Sequence, residues 1–300
     1  MIVVAGGTGL LGSDVVGRVA GRGLPIRVLT RDPDRARQAG EPSAGVEFVR
    51  ADVRDSQSLD DALTGATTVL AAVQGFGGTD AGGIEPVDRD GNIRLIGAAA
   101  RAGARHLVLM SIHGASPTSP LALARAKAAA EAELATTALR GTVIRPTAYM
   151  ETWAGFVGGP ILATGRARIF GHGRNPMNFV AARDVAAIVE QAILDPDGQP
   201  ATIDIVGPQV VSLFELVEMF ARAMGRDVPQ SHVPPAMLRL LAILARPVRP
   251  VLAQQIQASL VLDRADMRAV GRGTVTGSTV FDEVVGPMVA SAAGAVRSVS

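Results

Sequence analysis

At 300 residues the chain is long enough for one large α/β domain, or for a domain with a smaller lobe, and with 48% hydrophobic against 19% charged residues it can bury a substantial core. A net charge of +1 with no run of like charge argues against nucleic acid as the main partner. The absence of cysteine excludes disulfides, thiolate catalysis and cysteine-bound metal, and the scattered His106, His113, His172 and His232 lack metal-ligand spacing, so no metal is expected.

The first elements carry the strongest signal. An apolar strand, Ile2–Ala5, runs into Gly6-Gly7-Thr8-Gly9-Leu10-Leu11-Gly12, and a helical pattern follows at Leu10, Leu11, Val15, Val16 and Val19. Strand, glycine turn and helix form the context of a dinucleotide-phosphate site. The glycines let backbone approach a pyrophosphate, and the helix points free N–H groups and its positive dipole end at it. Gly6, Thr8, Gly9, Leu10, Leu11 and Gly12 are therefore candidate cofactor contacts.

Further strands are expected at Ile26–Thr30, Val46–Arg50, Thr68–Val73, Leu107–Ser111 and Thr142–Arg145, with helices near 10–21, 32–39, 56–63, 85–103 and 119–138. Strict alternation implies a doubly wound parallel sheet, and continuous apolar strands fit burial on both faces. After Pro146 the alternation breaks. Residues 149–177, rich in aromatics and glycine, read as irregular; helices return at 184–195, 212–224 and about 235–262, and Phe281–Val296 is a weak helical candidate. The expected division is a dinucleotide-binding domain over 1–148, rejoined by about 178–206, and a smaller substrate lobe with C-terminal helices over 149–300. The N-terminus reads as strand rather than signal peptide. The apolar region Ala236–Leu262 is broken by Arg239, Arg246, Pro247, Arg249 and Pro250, so no membrane span is expected and a cytoplasmic location is. That region caps the pocket, forms a dimer face or simply packs; monomer and homodimer both remain open.

Several pieces in chain order resemble a known family. The spacing Gly6-x-x-Gly9-x-x-Gly12, "ADV" at 51–53, "GNIRLIGAAARAGARHLVLMS" at 91–111, "KAAAEAEL" at 127–134, "TVIRPTAYME" at 142–151 and "FVAARDVAAIVEQAI" at 179–193 are similar to atypical and extended short-chain dehydrogenase/reductases, in their NmrA-like, isoflavone-reductase-like branch. The likeness covers roughly residues 1–230. It implies a Rossmann fold, a nicotinamide cofactor, adenine contacts from Asp52 and Val53, and further cofactor contacts at the strand ends Ala72, Val73 and Pro146.

Arg31 follows the second strand where NAD sites commonly carry an acid, so Arg31, with Arg35 one turn on, favours NADP(H) over NAD(H); a merely solvated arginine beside Asp32 is the alternative. Lys127 is the only lysine among 29 basic residues. The resemblance implies that it binds the nicotinamide ribose; an exposed pair with Glu131 at i, i+4 is the alternative. The family's tyrosine, expected four residues earlier, is replaced by Leu123. Ser111 fits the family's serine or is a strand-end cap. Proton transfer then falls to Lys127, directly or through water, or to His113, which is otherwise structural; Tyr149, the chain's only tyrosine, is a further catalytic candidate. Gln74, Phe76 and the glycine-rich loop Gly75–Gly83 lie on the substrate side as a mobile loop or a plain connection. Tyr149, Met150 and Trp153, with Leu123, line an apolar pocket or form a core cluster. The implied function is an NADPH-dependent reductase of a small apolar carbonyl, enone, quinone or imine. A nucleotide-sensing regulatory protein and a non-redox enzyme on the same fold are the alternatives.

Overall fold

The apolar runs of the first half become parallel strands in a computed structural model, which describes residues 1–38, 44–76, 83–245, 248–265, 267–268 and 274–297. In chain order the elements are β1 (Ile2–Ala5), α1 (Leu10–Ala20), β2 (Ile26–Thr30), α2 (Pro33–Gln38), β3 (Val46–Arg50), α3 (Ser56–Ala62), β4 (Thr68–Ala71), a π-helical turn (Glu85–Arg89) leading into α4 (Asp90–Arg101), β5 (His106–Met110), α5 (Ala122–Thr136) and β6 (Arg140–Pro146). There follow β7 (Ala148–Tyr149), α6 (Met150–Thr164), β8 (Ala167–Phe170), β9 (Met177–Val180), α7 (Ala182–Leu194), β10 (Thr202–Val206), β11 (Gln209–Val211), α8 (Leu213–Met224), β12 (Gln230–Val233), α9 (Pro235–Ala245), α10 (Pro250–Leu262), β13 (Val275–Thr276) and α11 (Asp282–Arg297). Contacts divide the chain into two units: Met1–Arg145 with Arg183–Asp204, and Pro146–Ala182 with Ile205–Ser300.

In the first unit the strand order is β3-β2-β1-β4-β5-β6-β10, and the pairs from β3 to β6 are all parallel. The chain winds outward from β1 to β3, then crosses back and winds the other way from β4. This is the Rossmann arrangement, with its topological switch between β1 and β4. Parallel register brings the C-terminal ends of β1, β2, β3, β4 and β5 to one edge, where ligands bind in such sheets. The core is built on Val3, Leu29, Val69, Leu107 and Leu109 from the strands and Leu59, Leu63, Leu95 and Ile96 from the helices, all buried. β4 is shorter than expected: Ala72 N–H still donates to Ala5 C=O at 2.9 Å, and the chain then leaves the ladder.

The second unit overturns the expectation of irregular structure over 149–177, where β7, α6, β8 and β9 form. One glycine of this stretch is a packing notch. A Cβ on Gly158, inside α6, would stand 2.1 Å from the Phe220 ring, so the helix takes glycine to let α8 approach. Phe179, Phe220 and Phe281 are fully buried at the centre of this unit's core. β10, absent from the expected strands, is held by Val143 N–H donating to Ala201 C=O at 2.8 Å. The region 235–262 forms two helices, α9 and α10, and α11 forms despite Pro287 within it. Among the described residues no helix is long and apolar enough to cross a membrane.

Candidate functional site

The glycine turn joins β1 to α1 at the switch point, and its glycines do different work. Gly6 has φ +89°, and a Cβ there would lie 2.4 Å from Ala72 C=O, so conformation and the close passage of the β4 end both demand glycine. A Cβ on Gly12 would stand 2.1 Å from Gly6 C=O, so this glycine lets α1 sit on the turn. Gly9 is different. Its φ is −86°, and a Cβ there would meet only Gly6 C=O, at an ordinary 3.4 Å. Among the described residues nothing requires glycine at position 9, and the space beside it is a cradle that a ligand backbone would fit. Gly9 caps α1 without a side-chain bond, so no cap side chain takes the first-turn amides of Leu10, Leu11 and Gly12, which are of the kind that can meet an anion. Thr8, Gly9 and Leu10 are exposed and Leu11 is buried, which confines Leu11's contribution to its amide. This donor set fits a dinucleotide pyrophosphate.

Along the same edge, Arg31 follows β2 and is exposed, and its carbonyl accepts from Arg50 Nη1 at 2.8 Å. Asp32, the nearby acid, caps α2 by accepting from Arg35 N–H at 3.1 Å; the Arg35 side chain is exposed. After β3, Asp52 receives Arg54 in a fork, with Nη2–Oδ2 at 2.5 Å and Nε–Oδ1 at 2.9 Å. That hydrogen-bonded guanidinium holds its carboxyl below the ordinary value. Val53 is half-buried against Gly91, where a Cβ would meet it at 2.7 Å.

The lysine sits in a pocket assembled from four segments. Lys127, on α5, has a side chain only 4% exposed; its Nζ donates to Val73 C=O at 3.2 Å and lies 3.2 Å from Asp88 Oδ1. Asp88 is fully buried in the π-helical turn, and its Oδ2 accepts from Gly75 N–H at 2.9 Å. Asn92, one turn on, donates Nδ2 to Val87 and Asp88 C=O at 3.3 and 2.9 Å, satisfying carbonyls that the wider π turn releases. The exposed Lys127–Glu131 pair is therefore not what forms. Val73 follows Ala72, the residue Gly6 packs against, so the ammonium is held beside the glycine turn.

Glu131 has other partners. Arg145 donates Nε to its Oε1 at 2.9 Å and Nη2 to its Oε2, and the Ser111 hydroxyl donates to Oε1. Ser111 is buried, its amide donates to Ile144 C=O at 2.8 Å, and its proton is committed inward to a carboxylate rather than offered to a substrate carbonyl. His113, just beyond β5, has Nδ1 3.1 Å from Asp204 Oδ1, with both side chains about a third exposed. A carboxylate at Nδ1 orients the ring and leaves Nε2 for a second partner. Leu123 is half-buried one turn before Lys127. Gln74 is exposed and Phe76 half-buried, while residues 77–82 of the glycine-rich loop lie outside the described residues. The loop's two ends close on each other: a Cβ on Gly75 would meet Gly83 C=O at 2.3 Å.

Pro146, Tyr149, Met150 and Trp153 belong to the second unit. Pro146 is buried at the end of β6. Met150 is fully buried in that unit's core, which corrects its assignment to a substrate surface. Trp153 is half-buried and packs edge-on against Phe179 at 5.9 Å and Phe156 at 6.2 Å, so much of its ring serves the core cluster. Burial, and behind it the Glu151 charge, pushes the Tyr149 phenol well above its ordinary value.

The sequence profile of the NmrA-like family matches residues 1–263. The chain belongs to the NmrA-like family. An NAD(P)H azoreductase from Xenophilus azovorans is 29% identical over 229 residues, 76% of this NmrA-like chain and 75% of its own. A (4-alkanoyl-5-oxo-2,5-dihydrofuran-3-yl)methyl phosphate reductase from Streptomyces griseus is 29% identical over 260 residues, 86% of each chain. Among solved structures, an NADPH-dependent quinone oxidoreductase of Escherichia coli complexed with NADPH superposes with a TM-score of 0.75 at 20% identity, over 96% of this chain and 99% of that one. The likeness confirms the fold.

Asp88, Arg145 and Asp204 are the members of this NmrA-like site that sequence reasoning missed. A buried lone lysine calls for a carboxylate, but only the packing of the π turn against α5 selects Asp88 from the chain's 28 acids.

Proposed function

We propose that this NAD(P)-dependent reductase uses NADPH to reduce a small, apolar, conjugated acceptor: a carbonyl, enone, quinone or imine. The observation that carries the reading is the sole lysine, buried, fixed on Val73 C=O and Asp88, and so held beside the glycine turn. The relatives named as reducing azo compounds and a dihydrofuranone support the acceptor class.

In this reading the turn and the first amides of α1 hold the pyrophosphate. Arg31, with Arg35, takes the 2′-phosphate; Asp32 is already engaged in capping α2, which favours NADP(H) over NAD(H). Lys127 holds the nicotinamide ribose. When bound, the dinucleotide supplies a hydride. The chain's residues supply position and a proton. Leu123 cannot give one, and the Ser111 proton is spent on Glu131. Lys127 Nζ carries protons beyond the one it donates to Val73, and His113 Nε2, oriented through Asp204, is the second donor within the first unit.

The test is NADPH oxidation against a panel of quinones, enones, imines and azo dyes, with products identified by mass spectrometry. Turnover with stoichiometric NADPH loss is expected. Tight NADPH binding without turnover of any member would move the reading to a nucleotide sensor, and product formed without net NADPH loss to non-redox chemistry.

A further inference from the structure

Helix α9 is apolar on two sides, and the fold uses only one. Leu238 and Ala242, at i and i+4, are buried inward. Met237, Leu240, Leu241 and Leu244 form a second stripe at i, i+3, i+4 and i+7; with Ile243 they are between 43% and 70% exposed. A helix apolar all round is stable when both faces are covered, and a continuous exposed apolar stripe marks an interaction surface.

The charges around the stripe choose the occupant. Residues 228–262 contain no Asp or Glu and three arginines, Arg239, Arg246 and Arg249. By helical position Arg239 shares a side with Ile243, at i, i+4, on the flank of the exposed face, and both Arg239 and Arg249 are exposed. A second copy docked two-fold on the stripe would set two segments of like charge against each other, with no carboxylate in either to meet the arginines. Leucines flanked by arginines suit an anionic bilayer surface, where apolar side chains enter the acyl boundary and guanidinium groups meet phosphate headgroups. The helix lies on such a surface rather than crossing it: its eleven residues span about 17 Å against a hydrocarbon core of about 30 Å.

We propose that the outer face of α9, with its flanking arginines, is a docking surface for anionic lipid membranes. The inference is independent of the redox reading. The test is flotation of the full chain with vesicles of phosphatidylglycerol and phosphatidylcholine in equal parts, and with phosphatidylcholine alone. The wild type should float with the mixed vesicles, and added salt should release it. Leu240→Glu with Leu244→Glu should lower the bound fraction by about tenfold or more, because two inserted leucines become charges. Arg239→Gln and Arg249→Gln should each weaken binding by about fivefold. All these side chains are exposed, so unchanged circular dichroism and NADPH affinity serve as the folding control. No flotation on anionic vesicles would overturn the proposal. So would equal binding to phosphatidylcholine, or a wild-type dimer that becomes monomeric in the double-glutamate variant without binding vesicles, which would assign the face to a second copy.

Discussion

The glycine turn and the lysine pocket meet at Ala72–Val73, at one edge of one sheet, yet they rest on opposite physics. The turn works by omission. Gly6 and Gly12 lack side chains because backbone occupies the space, whereas the space beside Gly9 is the one the proposed pyrophosphate would take. The lysine pocket works by compensation. Two ions leave water, and each is tolerable only because the other is 3.2 Å away. A site of the first kind should fail one position at a time, with a distinct symptom at each. A site of the second kind should fail whenever either partner is changed alone.

The lysine should give the largest effect. Lys127→Met by itself strands a buried carboxylate, a loss of about 3–5 kcal/mol, and unfolding would obscure the chemistry. Lys127→Met combined with Asp88→Asn removes both charges and keeps an acceptor for Gly75 N–H. We expect this variant to fold, to bind NADPH modestly less well, and to lose about two to four orders of magnitude in single-turnover NADPH oxidation. Lys127→Arg should not rescue the rate, because a guanidinium holds its proton and has a different shape. Full activity in the folded double variant would leave the compensated pair as architecture and put the chemistry elsewhere.

Gly9 and Gly12 separate the two uses of glycine. Gly9→Val should leave the melting temperature unchanged and weaken NADPH binding on the order of a hundredfold by calorimetry, since a branched side chain enters the pyrophosphate space. Gly12→Ala should instead lose about 1–3 kcal/mol of stability, because its Cβ meets backbone that cannot step aside. The same symptom in both variants would erase the distinction.

This contrast also explains what was legible beforehand. The turn is written within seven consecutive residues, and the parallel sheet within alternating apolar runs, so both could be read from local pattern. Lys127 stood out as the only lysine, but its partner Asp88 lies 39 positions away in a π turn that no periodicity announces. Glu131, by i, i+4 spacing the obvious partner, is taken by Arg145 and Ser111. In the second unit, α6 is not announced by the sequence because Gly158 and Pro160 weaken its intrinsic propensity, and the ring that Gly158 admits, Phe220, lies far along the chain.

Arg31 should show a smaller and selective effect. Arg31→Ala should weaken NADPH by about ten- to a hundredfold, the cost of one charge-assisted phosphate contact, and leave NADH nearly unchanged. Parallel titrations of the two cofactors decide it. Equal losses would place the 2′-phosphate elsewhere along the edge and leave Arg31 outside the turn's anion site.

The smallest effect is expected at Tyr149, and it sharpens the assignment of the proton to the lysine side of the comparison. In an enzyme that donates protons from tyrosine, the phenol must come down toward the working pH. Here burial and the Glu151 charge push it up, so the phenol stays protonated across the accessible range and is a poor acid. Tyr149→Phe should therefore keep turnover within about twofold, and the pH–rate profile between about pH 6 and 10 should be superimposable on that of the wild type. A loss above tenfold, or an alkaline limb present in the wild type and absent in Tyr149→Phe, would return the proton to the phenol and reduce Lys127 to holding the ribose.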